Sequence, residues 1–443
     1  MLSVLADRTY RHLFLAQIVA LLGTGLATVA LGLLAYDLAD ERAGLVLGTI
    51  YTIKMAAYVV IAPVAGAFAN RLPRRTMLVC LDLIRAVAAL CLPFVSEVWQ
   101  VYVLIFVLQA ASAVFTPTFQ ATIPDILPEE HRYTRALSLS RLAYDLENLI
   151  SPALAAILLA FVSYQTLFLG PVIGFVGSAV LVVSVLLPSP QPNVSRGIYQ
   201  RTTRGLRIYL ATPRLRGLLS LNLAAAAAGA MVLVNTVVLV QSNMGLGNTE
   251  VAVALGAFGA GSMISALVLP RILDHQPDRP VMIGGAALLV VTLTGLSAMS
   301  LVHNPQWYPL LVGWIIIGIG YSAVLTPSGR LLKRSAHPED RPAVYAAQFA
   351  LSHACWLLTY PLAGWLITVS TPATVFASLA LLASIGIVGG IVLWRRGDTG
   401  PIEHSHHDLQ RDHPHVLCGR AHSHPIIIDD YHAHWPHERD TNA

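Results

Sequence analysis

The chain is 443 residues long, 55% hydrophobic and only 12% charged, with a mean hydropathy of +0.64. Soluble globular domains carry charge on about a quarter of their residues, so this composition excludes an ordinary soluble domain and indicates a polytopic membrane protein. The formal net charge of +4 does not indicate a nucleic-acid-binding protein, because the arginines lie in alternate loops between apolar runs, which is a signal of membrane topology.

Apolar runs of about 20 residues, the length that spans a bilayer, divide the chain into two sets of six. The predicted N-terminal half, residues 1–187, contains runs near 12–36, 44–69, 77–96, 99–122, 140–162 and 165–187. The predicted C-terminal half, residues 217–394, contains runs near 217–241, 249–272, 280–302, 307–329, 342–368 and 373–394. Residues 188–216, with several prolines and arginines, are predicted to be a cytoplasmic linker, and residues 395–443 a cytoplasmic tail. The predicted fold is an all-α membrane protein with twelve transmembrane helices.

The loops assign the orientation of these helices. Arginine and lysine are concentrated in every second loop, whereas Arg42 alone lies on the opposite side. Positively charged loops remain in the cytoplasm, so both termini are predicted to be cytoplasmic. The first apolar run is too long for the hydrophobic region of a cleavable signal peptide and lacks a small-residue cleavage site, so we expect it to remain as the first helix.

The loop that follows the second run has the spacing G-x-x-x-N-R-x-x-R-R. It resembles the loop between helices two and three of the major facilitator superfamily, in which an aspartate usually stands in place of the asparagine. The matching residues are Gly66, Arg71, Arg74 and Arg75, and the departure is Asn70. The resemblance implies that this loop gates the transporter, with an amide hydrogen bond at Asn70 replacing the interaction of the usual carboxylate.

An internal repeat relates the two halves. Thr116–Pro117 recurs as Thr326–Pro327, and the sequence Pro-Glu-Glu at 128–130 recurs as Pro-Glu-Asp at 338–340, both 210 residues later. Transporter folds are often built from two such repeats, with the substrate site at the interface between them. The repeat therefore supports a six-plus-six arrangement.

The fifth run begins with ionisable residues. An acid at the centre of a membrane helix costs about 2.5 to 3.5 kcal/mol, so such acids are usually paired, hydrated or functional. Asp145 follows Arg141 by one helical turn, which predicts a local ion pair. Glu147 shares a different stripe with Tyr144 and has no cation on its own helix, so it needs water, a proton, a substrate cation or Lys54, which lies in the middle of the second run. We interpret Glu147 as the proton-coupling acid; the alternative is a purely structural polar contact.

The repeat places the helix around residue 353 opposite the acid-bearing helix. Gln348 and Cys355 lie on one stripe of this helix and His353 on the next, among aromatic side chains. A histidine in such surroundings is either a satisfied interior residue or a ligand, and both interpretations stay open. Asn222 and Asn235, on the first run of the second half, complete the predicted substrate cavity.

The tail is rich in histidine. Ten of the sixteen histidines fall in the last 47 residues, often as His-x-His, a bias typical of metal-binding segments because imidazole suits Ni, Cu, Zn and Co. The alternative is a solvated, disordered tail without selected metal affinity. The predicted metal ligands are His404, His406, His407, His413, His415, His422, His424, His432, His434 and His437.

Three stretches together resemble bacterial nickel-resistance permeases of the major facilitator superfamily. They are the fifth-run segment from Arg141, the segment from Arg341 to Trp356, and the tail from His422 to Pro436. The membrane part is also similar to the wider drug-exporter branch that includes macrolide efflux pumps. The tail therefore carries most of the inference about substrate.

The leading hypothesis is a proton-coupled exporter of nickel or cobalt in the bacterial inner membrane, working by alternating access and conferring metal resistance. Its predicted partners are the lipid bilayer, the proton and the metal ion, which is the substrate and is also bound by the tail. No resident cofactor and no nucleic acid are expected. The protein is predicted to be a monomer. An exporter of drugs or siderophores with the same fold, and a membrane-anchored metal sensor or buffer without transport, are the alternatives. No phosphate-binding loop or nucleophile–base pair is evident, so neither ATP drive nor an enzyme is expected.

Overall fold

The computed structural model describes the chain except residues 1, 40–42, 69–71, 189–197, 303–304, 395–400, 406–420, 433 and 436–443. The N-terminal half consists of α1 (Arg8–Ala39), α2 (Ala43–Phe68), α3 (Arg74–Cys91), α4 (Val98–Ile126), α5 (Glu130–Leu159) and α6 (Leu169–Val183). It is followed by α7 (Ile198–Ala211), α8 (Pro213–Val237), α9 (Asn248–His275), α10 (Asp278–Val302), α11 (Trp307–Leu325), α12 (Ser328–Arg334), α13 (Arg341–Val369) and α14 (Pro372–Leu393). Short 3-10 helices span Leu2–Ala6, Leu92–Phe94 and Tyr164–Phe168, and a π-helical segment, Val238–Asn243, extends α8.

Eleven helices in the described ranges are long and apolar enough to cross a membrane. The twelfth transmembrane helix of the fold is α5, which has the required length, 30 residues, but carries charged side chains along much of it. The sequence predicted its start near residue 140, whereas it begins at Glu130, because its charged first turns extend the helix beyond the apolar run. The predicted linker interval contains the amphipathic helix α7.

The two halves meet mainly along α2 with α13 and α5 with α9, and also where α4 contacts α13 and α5 contacts α12. The 210-residue repeat relates α5 to α13, so the acid-bearing helix and the histidine-bearing helix take equivalent places in the two halves. Helix α7 packs against both α2 and α13 and so lies beside the interface between the halves. Helices α2, α5 and α13, which carry Lys54, the two acids and His353, therefore line the interface, whereas α8, which carries Asn222 and Asn235, packs mainly within the C-terminal half.

The tail departs from the all-α pattern of the membrane part. Strands β1 (Pro401–Ser405) and β2 (Ala421–Pro425) pair in antiparallel register, with His404 opposite His422. Beyond β2 the chain packs onto the cytoplasmic end of the C-terminal half, where Ile426, Ile428 and Trp435 are buried in its hydrophobic core. We call residues 421–435 the strap.

Candidate transport site

Helix α5 holds two acids in different environments. Asp145 is 3% exposed and its Oδ1 accepts a hydrogen bond from Arg141 Nη2 at 2.7 Å, so the predicted local ion pair is present. The same guanidinium donates from Nε to Ser262 Oγ of α9 at 3.0 Å and lies over the Tyr321 ring at 4.7 Å. Arg141 and Asp145 thus form part of the contact between the halves, as well as a local pair.

Glu147 faces α1 instead. A Cβ added at Gly25 of α1 would lie 2.8 Å from Glu147 Oε1 and 2.1 Å from Ser151 Oγ, so the absence of a side chain at Gly25 lets α1 approach the carboxylate closely. Glu147 is only half-buried. It interacts electrostatically with Lys54 of α2, although the two groups are not among the ion pairs within 4 Å that the described residues form. Lys54 therefore supplies the positive charge that Glu147 does not find on α5, and it does so without forming a fixed salt bridge.

Lys54 also faces the C-terminal half. It interacts electrostatically with His353 of α13, and its Nζ lies 5.8 Å from the centroid of the Tyr58 ring. His353 Nδ1 lies 2.7 Å from the Phe349 carbonyl oxygen, and the imidazole packs edge-on against Tyr58 with ring centroids 4.8 Å apart. Tyr58 in turn donates to Gln109 Oε1 of α4 at 2.9 Å. Lys54 thus lies near an acid of one half, which its positive charge attracts, and near a histidine of the other, whose protonated form it repels.

Tyr144 belongs to the same polar region. Its side chain lies near those of Glu147, Arg141 and Gln17. Ser140 Oγ also donates to Gln17 Oε1, at 3.0 Å. The polar stripe of α5 thus continues onto α1. Tyr144 lies between the surroundings of Asp145 and those of Glu147.

Other residues predicted for the cavity have structural partners. Gln348 Oε1 accepts a hydrogen bond from Tyr209 of α7, which joins α13 to α7. Asn235 Nδ2 donates to the Ala363 carbonyl at 3.3 Å and so joins α8 to α13. Cys355 is buried, whereas His353 lies against Tyr58 of the other half. Gln348, Asn235 and Cys355 are thus placed within the C-terminal half, with Gln348 against α7.

Asn222 differs from that group. It is 3% exposed, and neither end of its amide has a hydrogen-bond partner among the described residues. Its part in a cavity stays a prediction.

The predicted gating loop is described in part. Gly66 lies in the last turn of α2, while Asn70 and Arg71 lie outside the described residues. Arg74 is 1% exposed and donates to Asp125 Oδ2 at 2.6 Å, and Arg75 donates to the Val183 carbonyl. The first arginine of α3 therefore anchors the cytoplasmic end of α4.

A cluster of ion pairs closes the cytoplasmic end between the halves. Asp125 binds Arg74 of its own half and also Arg341 at the start of α13. Tyr133 and Tyr345 share a hydrogen bond of 2.6 Å beside this pair. Asp125 thus forms ion pairs with arginines of both halves.

A second acid pair completes this closure. Glu130, at the start of α5, binds Arg330 and Arg334 of α12, with 3.0 Å between Arg334 Nε and Glu130 Oε2. Both arginines also bind Asp278 at the start of α10, at 3.0 and 2.8 Å. We call these bonds, with those of Asp125 and the Tyr133–Tyr345 pair, the cytoplasmic seal. The protein is therefore closed on its cytoplasmic side.

Sequence reasoning did not find the seal, because the positive-inside pattern already accounted for its arginines. The signal that was available is the acids: Asp125, Glu130 and Asp278 each stand at a helix end on the arginine-rich side. The positive-inside rule does not account for acidic residues at these positions.

The tail histidines are described unevenly. His406, His407, His413, His415 and His437 lie outside the described residues, and of His404 and His422 only the backbone is described. The rings of His424 and His432 lie 5.1 Å apart between centroids, and His434 is exposed. No group of three or more His, Cys, Asp or Glu side chains that could hold a metal ion occurs within the part of the chain that is described. The metal-ligand predictions in the tail remain predictions.

The strap is held by a small acidic network. Asp429 Oδ1 accepts from the backbone N–H of His432 at 2.7 Å and lies 3.0 Å from its Nδ1, and Asp429 Oδ2 lies 3.4 Å from His337 Nε2 in the α12–α13 turn. Although burial alone would raise the pKa of Asp429, hydrogen bonds from His337 and His432 hold it well below its usual range. The hydrogen bond with Asp429 raises the pKa of His337 above its ordinary 6.5.

Two repeated six-helix halves, closed at one end and with ionisable residues of both halves at the interface, define a secondary membrane transporter. Comparison with known proteins specifies the family. The model of the Major Facilitator Superfamily matches residues 13–307 and 218–426, so the chain belongs to that superfamily.

Its curated relatives align over part of their length. The chain is 32% identical over 110 residues to an uncharacterized MFS-type transporter, YfiS, of Bacillus subtilis, covering 25% of this chain and 26% of that protein. It is 29% identical over 136 residues to macrolide efflux protein A of Enterococcus faecalis, covering 30% of this chain and 42% of that protein.

Solved structures share the fold along nearly their whole length. The human organic anion transporter MFSD10 (TETRAN) superposes with a TM-score of 0.74 at 12% identity, over 87% of this chain and 99% of that one. A bacterial homologue of the iron transporter ferroportin, in an outward-facing state, superposes with a TM-score of 0.73 at 15% identity, over 87% of this chain and 98% of that one. At these identities the likeness concerns the fold.

Proposed function

We propose that this transporter exports a divalent transition-metal cation, nickel or cobalt, from the cytoplasm in exchange for protons. The observation that carries the proposal is the position of Lys54 beside Glu147 of one half and near His353 of the other: its Nζ lies 5.8 Å from the centroid of the Tyr58 ring, which packs against the His353 ring with centroids 4.8 Å apart. A carboxylate and an imidazole on opposite halves are the donor types that a borderline transition metal accepts.

Lys54 gives the exchange a physical basis. In the sealed state the cation of Lys54 faces Glu147 and makes the carboxylate unattractive to a second cation. When the halves rearrange, any movement of α2 away from α5 removes that charge, and Glu147 becomes available to a metal ion or a proton. Because one carboxylate site cannot hold both, occupation by one excludes the other, which is the requirement for antiport.

The tail supports a metal as cargo. It carries ten histidines, and the strap within it packs on the cytoplasmic face of the C-terminal half. A tethered set of weak ligands raises the local concentration of a metal ion near the entrance of the transporter without any new contact in the membrane. The solved neighbour that is a homologue of an iron transporter is consistent with this class of cargo on the same fold.

The test is flux of nickel into inverted vesicles or proteoliposomes under an imposed pH gradient, with cobalt and magnesium measured in parallel. Glu147→Gln is expected to abolish pH-driven nickel flux, since the amide neither ionises nor exchanges a proton, while the protein still inserts. Glu129→Gln is the matched control: Glu129 precedes the same helix, its side chain is 56% exposed, and the variant should transport normally. Undiminished pH-driven flux in Glu147→Gln would remove Glu147 from the mechanism.

A second candidate cargo is an amphipathic drug. The observation that favours it is the aromatic surface of α13, where Phe349 and His353 pack on Tyr58, and Trp356 packs on Tyr321 and Tyr360. A macrolide efflux protein is among the relatives. In the same vesicles, transport of a macrolide with no nickel flux would favour this candidate. Nickel binding by the protein with flux of neither would favour a sensor or buffer.

A further inference from the structure

Ser151 lies one helical turn beyond Glu147 on α5, on the side of that helix that packs against α1. A Cβ added at Gly25 of α1 would lie 2.1 Å from Ser151 Oγ and 2.8 Å from Glu147 Oε1. Residues four apart share one face of a helix, so the hydroxyl oxygen and the carboxylate oxygen lie against the same point of α1. The two groups are therefore neighbours in the space that Gly25 leaves by having no side chain.

The Ser151 hydroxyl has no hydrogen-bond partner among the described residues, although the residue is only 2% exposed. Buried hydroxyls on α4 donate to the carbonyl one turn before them, as those of Ser112, Thr118 and Thr122 do. Ser151 does not form this local bond with the Glu147 carbonyl. Leaving a buried hydroxyl unpaired costs about 1 to 3 kcal/mol, so this one is available to a group that enters the site.

Close packing of α1 on α5 does not require this hydroxyl. Gly25 already provides the small residue that lets the two helices approach, and an alanine at 151 would serve the same packing with no polar group left unpaired. An unpaired hydroxyl alone does not identify a site, because Ser138 of the same helix is also buried and without a partner among the described residues. Ser151 differs from Ser138 in having a carboxylate beside it.

A hydroxyl oxygen and a carboxylate oxygen can bind the same cation. Glu147 is half-buried, so an ion can reach it, whereas Ser151 lies at the buried end of the pair. A divalent cation that reaches the carboxylate loses part of its hydration shell, and a protein oxygen that replaces a lost water lowers the cost of that step. Ser151 Oγ is placed to replace such a water on the side of Glu147 that faces α1.

We propose that Ser151 Oγ is a second protein ligand of the divalent cation that binds Glu147, with water among the remaining ligands. This assignment rests on the proposed function, since it takes the cation at Glu147 to be the transported metal. Oxygen ligands suit hard divalent cations, whereas sulfur ligands select softer ones. Ser151 thus contributes affinity for the ion, and a softer ligand in its place changes which metal is preferred.

Protection of Glu147 from a carbodiimide measures binding at this carboxylate separately from binding by the tail. Dicyclohexylcarbodiimide labels protonated carboxyl groups in membrane segments, and mass spectrometry of the purified full-length protein locates the label. Nickel chloride alone is the probe, and it is expected to slow the labelling of Glu147 in the wild type. Ser151→Ala should raise the nickel concentration that halves the labelling rate at least about tenfold. Ser138→Ala, which removes a hydroxyl equally buried and equally unpaired among the described residues of α5, is the matched control and should leave that concentration unchanged.

Ser151→Cys separates a ligand from a merely structural serine. The thiol is a softer donor of similar size, so zinc chloride should protect Glu147 at a several-fold lower concentration than in the wild type, with no such gain for magnesium chloride. A structural serine would leave both concentrations unchanged. Equal protection by nickel in Ser151→Ala, Ser138→Ala and the wild type would overturn the ligand role of Ser151 and leave the proposed function intact. No protection of Glu147 by nickel in the wild type would overturn the proposed function and the ligand role together.

Discussion

Two acids of α5, only two residues apart, receive different roles from their surroundings. Asp145 is buried against Arg141 and the opposite half, whereas Glu147 is half-buried beside Gly25 of α1 and, among the described residues, has only the distant Lys54 as counter-charge. A fixed pair stabilises a packed interface, and a half-exposed acid with a movable partner is suited to exchange. Both residues are acids, so their residue types do not distinguish these roles. The residues that surround each acid do.

Asp145→Asn tests the structural role. The amide removes the negative charge that compensates the buried Arg141 but still offers an oxygen to it, so we expect a loss of about 3 kcal/mol, the low end for breaking a buried pair. Thermal unfolding in detergent should show a lower midpoint, with Glu147→Gln unfolding near the wild-type temperature. If Asp145→Asn unfolds like the wild type while losing pH-driven flux, then Asp145 and not Glu147 is the coupling acid.

At the scale of single elements, the sequence predicted what is local and missed what is tertiary. Helix bounds and the Arg141–Asp145 pair follow from hydropathy and helical spacing, since both concern neighbours along the chain. Helix α5 was predicted to start too late because its first turns project beyond the apolar run and bear Glu130. The proximity of Lys54 to His353 and the seal around Asp125 needed the packing of separate helices, which periodicity does not contain.

The approach of α1 to α5 is the packing feature that places Glu147. Gly25→Ala is expected to push α1 away from Ser151 and Glu147, because the new methyl group would stand well inside van der Waals distance of both side chains. Nickel flux should fall at least about tenfold, with normal insertion. Gly32→Ala is the control on the same helix, since a Cβ there meets nothing within 4 Å. Equal flux in the two variants would show that the spacing of α1 and α5 does not matter for transport.

At the scale of the whole molecule, the cytoplasmic face integrates three parts of the chain that the sequence presents separately. The linker contributes Arg204, the tail contributes the strap, and α12 with the start of α13 contributes three arginines of the seal. Hydrophobic anchors at Ile426, Ile428 and Trp435 fix the position of the strap, and charged groups join it to its neighbours. The strap is therefore part of the folded protein, and the tail as a whole is a predicted store of metal ligands.

This arrangement makes strap docking depend on pH. The hydrogen bond with Asp429, together with the nearby charges of Glu339 and Asp340, raises the pKa of His337 above 6.5, so the docked state binds this proton more tightly than the free state. The resulting stabilisation is fully present below pH 6.5 and is lost as pH rises through the raised pKa. Asp429, whose pKa is held well below its usual range, stays ionised throughout that interval.

The expected result is a strap that is more fully docked at about pH 5.5 than at about pH 8.5. Nitroxides at Ser423→Cys on the strap and Arg207→Cys on α7, in an otherwise cysteine-free chain, report docking as one short distance in pulsed electron resonance; both positions are exposed. Raising the pH should transfer population to longer, broader distances. His337→Gln removes this titrating group and should remove most of the pH dependence. A distance distribution that responds equally to pH in His337→Gln and in the reference chain would assign the effect to another group.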